Sequence, residues 1–471
     1  MNWRTRPSFG FAAALLTGLL FLVSIDMGPI GPLALIAPVP LLVYALCAPR
    51  AWSVGLAAAL ARTISLIGVV VVYGKDAPLA AMLGFIAVGA ISFAAVVLLT
   101  RWIARVATPF IAVFCYPLLL VTAEWLLGLV SPHGSFGAMG HALVDLLPLL
   151  QVASIGGIAM LTFLVALVPM ALALAIARRE QMRRALLAGG IPLLCALGFG
   201  ILRLSQDDES HARVVLIGLD GYEAQAYASE AADLQTAREF AGLVRAAGAA
   251  HPDYIVLPEK QLGGARVATA ASEQIAEAAA DVAPATVIAG FDEVLPDGER
   301  VNSAQVLAAG QPLRRYLKRR FIPGIELGYT SGDRSFIDGA RGVAICKDLD
   351  FPRMIRDYGR QGVELLLVPA WDFVADARMH SRMALVRGVE NGFAIARAAA
   401  GGYLSAFDRY GRVIAERETS RAHPVAIVAD LGLKSGGTVY TRIGDAFAWL
   451  CVAAAALLII LRAARRMKPR S

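Results

Sequence analysis

The chain has 471 residues, 57% of them hydrophobic and only 17% charged, with a mean hydropathy of +0.61. That composition excludes an ordinary water-soluble enzyme and a disordered chain, and it points to a protein embedded in a membrane. The net charge of +7 would suit a nucleic-acid binder, but the distribution of the basic residues gives it another meaning.

Seven apolar segments precede residue 205, at about 10–25, 29–48, 51–73, 78–100, 107–130, 149–177 and 184–204, and an eighth lies at about 444–461. Crossing roughly 30 Å of hydrocarbon takes about 20 helical residues, so each is read as a transmembrane helix. The first follows Arg4 and Arg6 like a signal peptide, but no small-residue cleavage site ends it and six more spans follow, so it is read as uncleaved. Alternate loops and the tail hold Arg4, Arg6, Arg50, Arg101, Arg105, Arg178, Arg179, Arg183, Arg184, Arg462, Arg465, Arg466, Lys468 and Arg470, whereas the opposite short loops hold Lys75. The positive-inside rule then puts both termini in the cytoplasm and the segment after the seventh helix outside. The basic charge reads as topology, and no nucleic-acid partner is expected.

Between the seventh and eighth helices, residues 206–436 have globular composition. Strands are expected at 212–217, 254–257, 286–289, 303–307, 315–318, 342–345, 363–368, 393–398, 403–407 and 425–429. Helices are expected at about 223–249, 271–281 and 378–391. Alternation at this spacing argues for layered α/β structure, with reactive groups just past the carboxyl ends of strands.

Three such ends bear reactive side chains. Glu259 follows YIVLP, Lys318 ends RRYLK, and Cys346 follows VAI. Cys47, Cys115, Cys195 and Cys451 lie in apolar runs, so Cys346 is alone in the polar part of the chain, and in an oxidising compartment it lacks a partner there. A buried inert thiol and a nucleophile are both open readings. A nearby cation would favour the thiolate, a carboxylate can take and return the proton, and an ammonium can stabilise an oxyanion.

Other features carry less. Arg62 and Glu124 sit at membrane depth, where ionisable groups default to functional candidates, although a structural pair is the plainer reading. His133, His141 and His380 lack the spacing of metal ligands, and no metal or cofactor is expected. GLDGYEAQA (residues 218–226) lacks the spacing of a dinucleotide or phosphate loop.

The stretches IVLPEKQLGG, YLKRRFIPGIE, VAICKDLDFP, LLLVPAWDF and ALVRGVENGF resemble, in this order, the motifs of the nitrilase superfamily. With seven helices before and one after, and with 122–168 similar to the family's fifth and sixth helices, the whole chain resembles the apolipoprotein N-acyltransferase family, its membrane-embedded branch.

The resemblance implies eight transmembrane helices and an extracytoplasmic nitrilase-like α-β-β-α sandwich. It divides the chain into 1–205, 206–436 and 437–471. It implies an inner-membrane enzyme in which Cys346 takes an acyl chain from a phospholipid as a thioester and passes it to the N-terminal amine of a diacylglyceryl-cysteine apolipoprotein. Glu259 would be the general base and acid, Lys318 the oxyanion stabiliser, and Glu326 a second glutamate supporting them. Trp371 and Glu390 match positions lining or bracing the site.

The sequence departs from the family at Lys347-Asp348, where Tyr-Glu is usual, in the loop SPHGSFGAMG, which lacks the usual Gly-Phe-Pro-Trp, and in a short interval from Lys318 to Cys346. These departures leave a second reading open, a membrane-anchored amidase or an acyltransferase with a different amine acceptor. A third reading, a lipid-binding scaffold with a decayed site, is opposed by the presence of all three reactive residues.

Overall fold

A computed structural model describes residues 3–75, 78–219, 229–263, 268–419, 423–434 and 436–467. The 218–226 segment therefore lies largely outside the described residues. The chain forms two compact units, 1–205 with 443–471, and 206–442.

The first unit is helical. Its elements are α1 (Pro7–Ser24), α2 (Val39–Cys47), α3 (Ala51–Ser65), α4 (Ile67–Tyr73), α5 (Leu79–Ala104), α6 (Pro109–Val130), the short α7 (Leu147–Leu150), α8 (Ala153–Ala177) and α9 (Met182–Leu204). Among the described residues, seven helical spans are long and apolar enough to cross a membrane: Pro7–Ser24, Ala51–Tyr73, Leu79–Ala104, Pro109–Val130, Ala153–Ala177, Arg179–Leu204 and Ala446–Arg465. The expected second span is shorter. A 3-10 turn, Gly31–Leu35, and α2 divide it, because Pro38 and Pro40 interrupt the run of backbone donors. Arginines cap several helix ends in this unit: Arg101 donates to the carbonyls of Ala45 and Pro49, and Arg178 to that of Ala107. Ala45 lies in the last turn of α2, where carbonyls lack partners within the helix, while Pro49 and Ala107 lie in the loops beyond α2 and α5.

Among the described residues, the second unit holds thirteen strands. They are β1 (Ser210–Gly218), β2 (Tyr254–Val256), β3 (Leu262–Gly263), β4 (Thr286–Val294), β5 (Arg300–Leu307), β6 (Arg314–Leu317), β7 (Phe336–Asp338), β8 (Arg341–Val343), β9 (Leu365–Trp371), β10 (Ala394–Ala400), β11 (Tyr403–Phe407), β12 (Val413–Glu418) and β13 (Val425–Leu433). One sheet runs β13-β1-β2-β4-β5-β6 with β3 against β4, and the other runs β12-β11-β10-β9-β8-β7. The centre of each is parallel (β1, β2 and β4; β8, β9 and β10) and its flanks are antiparallel.

Val214, Leu216, Val256 and Ile288 of the first sheet pack with Val343, Ile345, Leu365, Leu367 and Ala396 of the second in one buried core. The outer face of the first sheet is covered by α10 (Glu230–Ala247) and α11 (Ala268–Asp281), through Ala237, Phe240, Val244 and Ile275. The second sheet is covered by α13 (Ala377–Asn391), which lies beside the shorter α12 (Pro352–Arg360). Buried runs such as Leu365–Ala370 follow, because strands covered on both faces read as continuous apolar sequence. The result is a four-layer α-β-β-α sandwich. The chain then continues through α14 (Val439–Ile443) and α15 (Ala446–Met467).

Candidate active site

Strand ends build the site. Beyond β2, the Glu259 amide donates to the Ala370 carbonyl at 3.1 Å, tying that end of the first sheet to β9 of the second. Gly290 on β4 permits the approach, since a Cβ there would stand 2.3 Å from the Pro258 carbonyl oxygen. Lys318 follows β6 and donates its amide to the Asn302 carbonyl of β5 at 2.8 Å. Cys346 opens a 3-10 turn, Cys346–Asp350, after β8, with a left-handed φ of 37°.

These ends bring the sequence-derived residues together. Lys318 Nζ donates to Glu259 Oε1 at 2.7 Å and to Glu326 at 2.8 and 2.9 Å. Lys318 and Glu259 are each only 1% exposed, so the three charges depend on one another in place of water. Asn302 Nδ2 bridges the carboxylates, at 2.6 Å from Glu259 and 3.0 Å from Glu326. Burial disfavours the Lys318 ammonium, but Glu259 and Glu326 outweigh it and hold the group above its ordinary value. Burial also opposes ionisation of Glu326, yet Lys318 and Lys260 hold its carboxyl down at about 2.

Cys346 is 8% exposed, and its thiol donates to the Trp371 carbonyl at 3.4 Å. Burial pushes the thiol well above its ordinary value; Glu259 and Asp372 raise it further, while Lys318 and Arg397 pull it back. The anticipated effect of a neighbouring cation is thus present but outweighed, and the resting sulfur is a thiol. Glu259, Lys318 and Glu326 border a cavity of about 110 Å³ that is also lined by Trp371, Asp372 and Phe373, together with Lys260, Ile322 and Ile325; Cys346 is not among its lining residues.

Asp348 turns inward. It accepts from Tyr316 Oη at 2.7 Å, from the Ile345 amide at 3.1 Å, and from the Arg319 and Arg320 amides at 3.2 and 2.9 Å. This carboxylate joins the turn bearing Cys346 to the chain just after Lys318. Burial raises it to about 6 against those donors. Lys347, which stands where the family usually has Tyr, does not face solvent. It is buried and pairs with Asp350 at 2.9 Å, beside His380, which stands 3.8 Å from Asp350 and 3.3 Å from Asp376. Trp371 lines the cavity. Glu390 is fully buried on α13 against Arg387 at 2.9 Å and is not among the residues lining the cavity.

In the helical unit, Arg62 pairs with Asp26 at 2.9 Å, and Glu124 accepts from Thr162 Oγ1 at 2.8 Å and the Met139 amide at 3.1 Å. Both have protein partners, which accords with the structural reading. Among the described residues, no group of three or more His, Cys, Asp or Glu is placed to hold a metal ion.

Sequence reasoning missed Asn302, Tyr316 and Lys260. For Asn302 a signal existed, since RVNSAQVL sets Asn, Ser and Gln inside a strand that is otherwise apolar. Lys260 gave none, because neighbours on an extended chain point to opposite faces.

Chemically, the arrangement supplies a thiol, a carboxylate to take its proton, and an ammonium to answer negative charge. Two family models match the chain: the apolipoprotein N-acyltransferase N-terminal domain over residues 17–171 and the carbon-nitrogen hydrolase over 216–419. An apolipoprotein N-acyltransferase of Geobacter metallireducens is 28% identical, covering 98% of this chain and 96% of its own. Among solved structures, an amidase from Nesterenkonia sp. AN1 with the acetamide moiety of fluoroacetamide added at its active-site cysteine is 18% identical, covering 47% of this chain and 91% of its own, with a TM-score of 0.40. A cysteine variant of that nitrilase-superfamily amidase is 20% identical over 47% of this chain and 92% of its own, also with a TM-score of 0.40.

Proposed function

We propose that this chain, which belongs to the apolipoprotein N-acyltransferase family within the nitrilase superfamily, moves an acyl chain from a phospholipid to the N-terminal amine of a diacylglyceryl-cysteine lipoprotein. The observation that carries the reading is the buried contact of Lys318 with Glu259 and Glu326 beside Cys346.

In the first half-reaction the Cys346 proton passes to Glu259 as the sulfur attacks the ester carbonyl. Lys318 and the backbone N–H that follows Cys346 take up the negative charge on the carbonyl oxygen. The S–C bond forms, the C–O bond breaks, and Glu259 returns the proton to the departing lysophospholipid oxygen. In the second, Glu259 takes a proton from the incoming amine, the N–C bond forms, the S–C bond breaks, and the sulfur regains a proton. A thiol held protonated at rest suits this order, because ionisation accompanies attack.

The enzyme crosses the membrane eight times, with residues 206–442 outside and both termini in the cytoplasm. The segment Gly31–Cys47 supplies the crossing that its length leaves open. Its 17 residues reach about 26 Å at about 1.5 Å per residue, near the roughly 30 Å needed. With that crossing, all fourteen arginines and lysines of the alternate loops and tail fall on one side.

The test is mass spectrometry of a diacylated lipopeptide incubated with purified protein and phospholipid. One added acyl chain on the α-amine is the expected product. Fatty acid released to water, with the lipopeptide unchanged, would favour an amidase-like enzyme instead.

A further inference from the structure

Lys260 lies directly after Glu259 in a left-handed conformation, φ 53°, which residues with a Cβ seldom adopt. Extended chain would send the two side chains to opposite faces, yet both line the same cavity. The ammonium stands 3.1 Å from Glu326 Oε1, 5.5 Å from the centre of the Tyr329 ring and 5.3 Å from that of Trp371. Two aromatic faces and a carboxylate thus converge on one cation, a favourable setting for an ammonium group.

We propose that Lys260 is a positioning residue of this site, acting through Glu326 and Lys318 to supply the positive charge that the acylation step consumes. At rest, the carboxylates of Glu259 and Glu326 balance the ammonium groups of Lys318 and Lys260. When the Cys346 proton moves to Glu259, the four groups carry one net positive charge. That charge faces the negative charge passing to sulfur and then, as the S–C bond forms, to the carbonyl oxygen. Without Lys260 the remaining three would be neutral at that moment, and Glu326 would hold Lys318 by itself. Glu326 is faced by Lys318, Lys260, the Asn302 amide, the Ile322 N–H and the Tyr329 phenol. Cys346 is faced by Glu259, Lys318, Asp372 and Arg397.

The inference rests on the proposed acyl-transfer reading, so the test carries two readouts in the full-length protein. One is the rate of iodoacetamide alkylation at Cys346 across pH, followed on its peptide by mass spectrometry. The other is the yield of acyl adduct from labelled phospholipid. Lys260→Met should slow alkylation about tenfold at pH 7, equivalent to about one unit in the apparent pKa of the sulfur, with a matching loss of adduct. Lys260→Arg should stay within about threefold of the parent, since it keeps the charge. In a Glu326→Gln background Lys260→Met should add little, because both changes interrupt one coupled path.

Alkylation by Lys260→Met at the parental rate would overturn the proposal. So would equal losses from Lys260→Met and Lys260→Arg, or full additivity with Glu326→Gln. If Lys260→Met does not fold, Lys260→Gln is read in its place against the same outcomes. A parent protein that takes up no acyl group, while Lys260→Met still slows alkylation, would sink the acyl-transfer reading and support Lys260.

Discussion

Cys346 holds its thiol in a left-handed turn, shielded from water and aimed at a main-chain carbonyl. In the proposed mechanism a sulfur so placed reacts only once Glu259 takes its proton. Cys346→Ala should leave the protein folded and remove turnover and labelled adduct entirely; a surviving hydroxylamine-sensitive adduct would show another nucleophile. His380 makes a separate claim. Burial works against its protonation, but Asp376, Asp350 and Asp372 outweigh it and raise its pKa. A raised folded value adds stability that is complete below the unfolded pKa of about 6.5 and is lost as pH rises through the folded value. Thermal unfolding of the parent should therefore weaken from pH 5.5 to pH 9 more than that of His380→Gln, and parallel curves would refute it.

At the scale of elements, strand ends of two facing sheets explain why residues nearly ninety positions apart come together: Glu259 and Lys318 follow β2 and β6 of one sheet, and Cys346 follows β8 of the other. Glu259 lies just beyond β2, where Pro258 and Glu259 pass so close to Gly290 of β4 that a Cβ there would stand 2.3 Å from the Pro258 carbonyl oxygen. Gly290→Ala should lower stability by about 1–3 kcal/mol and reduce adduct formation through displacement of Glu259, as thermal unfolding and labelling would register. Much of this was legible in sequence. Apolar runs bounded by Pro, Gly and charged residues marked β1, β2, β4, β9, β10 and β13, since buried parallel strands leave a strong hydrophobic record. The short β3 and β7 and the polar edge strand β12 were not, because too few of their residues meet the core. Glu259, Lys318 and Cys346 stood out because each closely follows a strand, and the resemblance to the nitrilase motifs joined them into one candidate set. Asp348 and Asn302 act through three-dimensional hydrogen bonds that leave little local mark, and Lys260 enters through one backbone angle.

For the whole molecule, composition announced a membrane protein and charge asymmetry proposed its orientation, whereas the segment 29–48, read as a span like the others, is divided by Pro38 and Pro40 into a 3-10 turn and the short α2. The proposed topology predicts that a cysteine placed at exposed Arg238, in a background without other cysteines, reacts with a membrane-impermeant maleimide in intact spheroplasts. Labelling only after permeabilisation would reverse the orientation.

The pairing of β1 with β13 reaches further. Nine rungs bind these first and last strands, from Ser210 opposite Leu433 to Gly218 opposite Val425, so the polypeptide enters and departs about 5 Å apart. A segment with neighbouring ends is a cassette. Residues 210–433 therefore begin and end side by side, the geometry that lets a chain pass into a folded module and out again without stretching what lies before and after it.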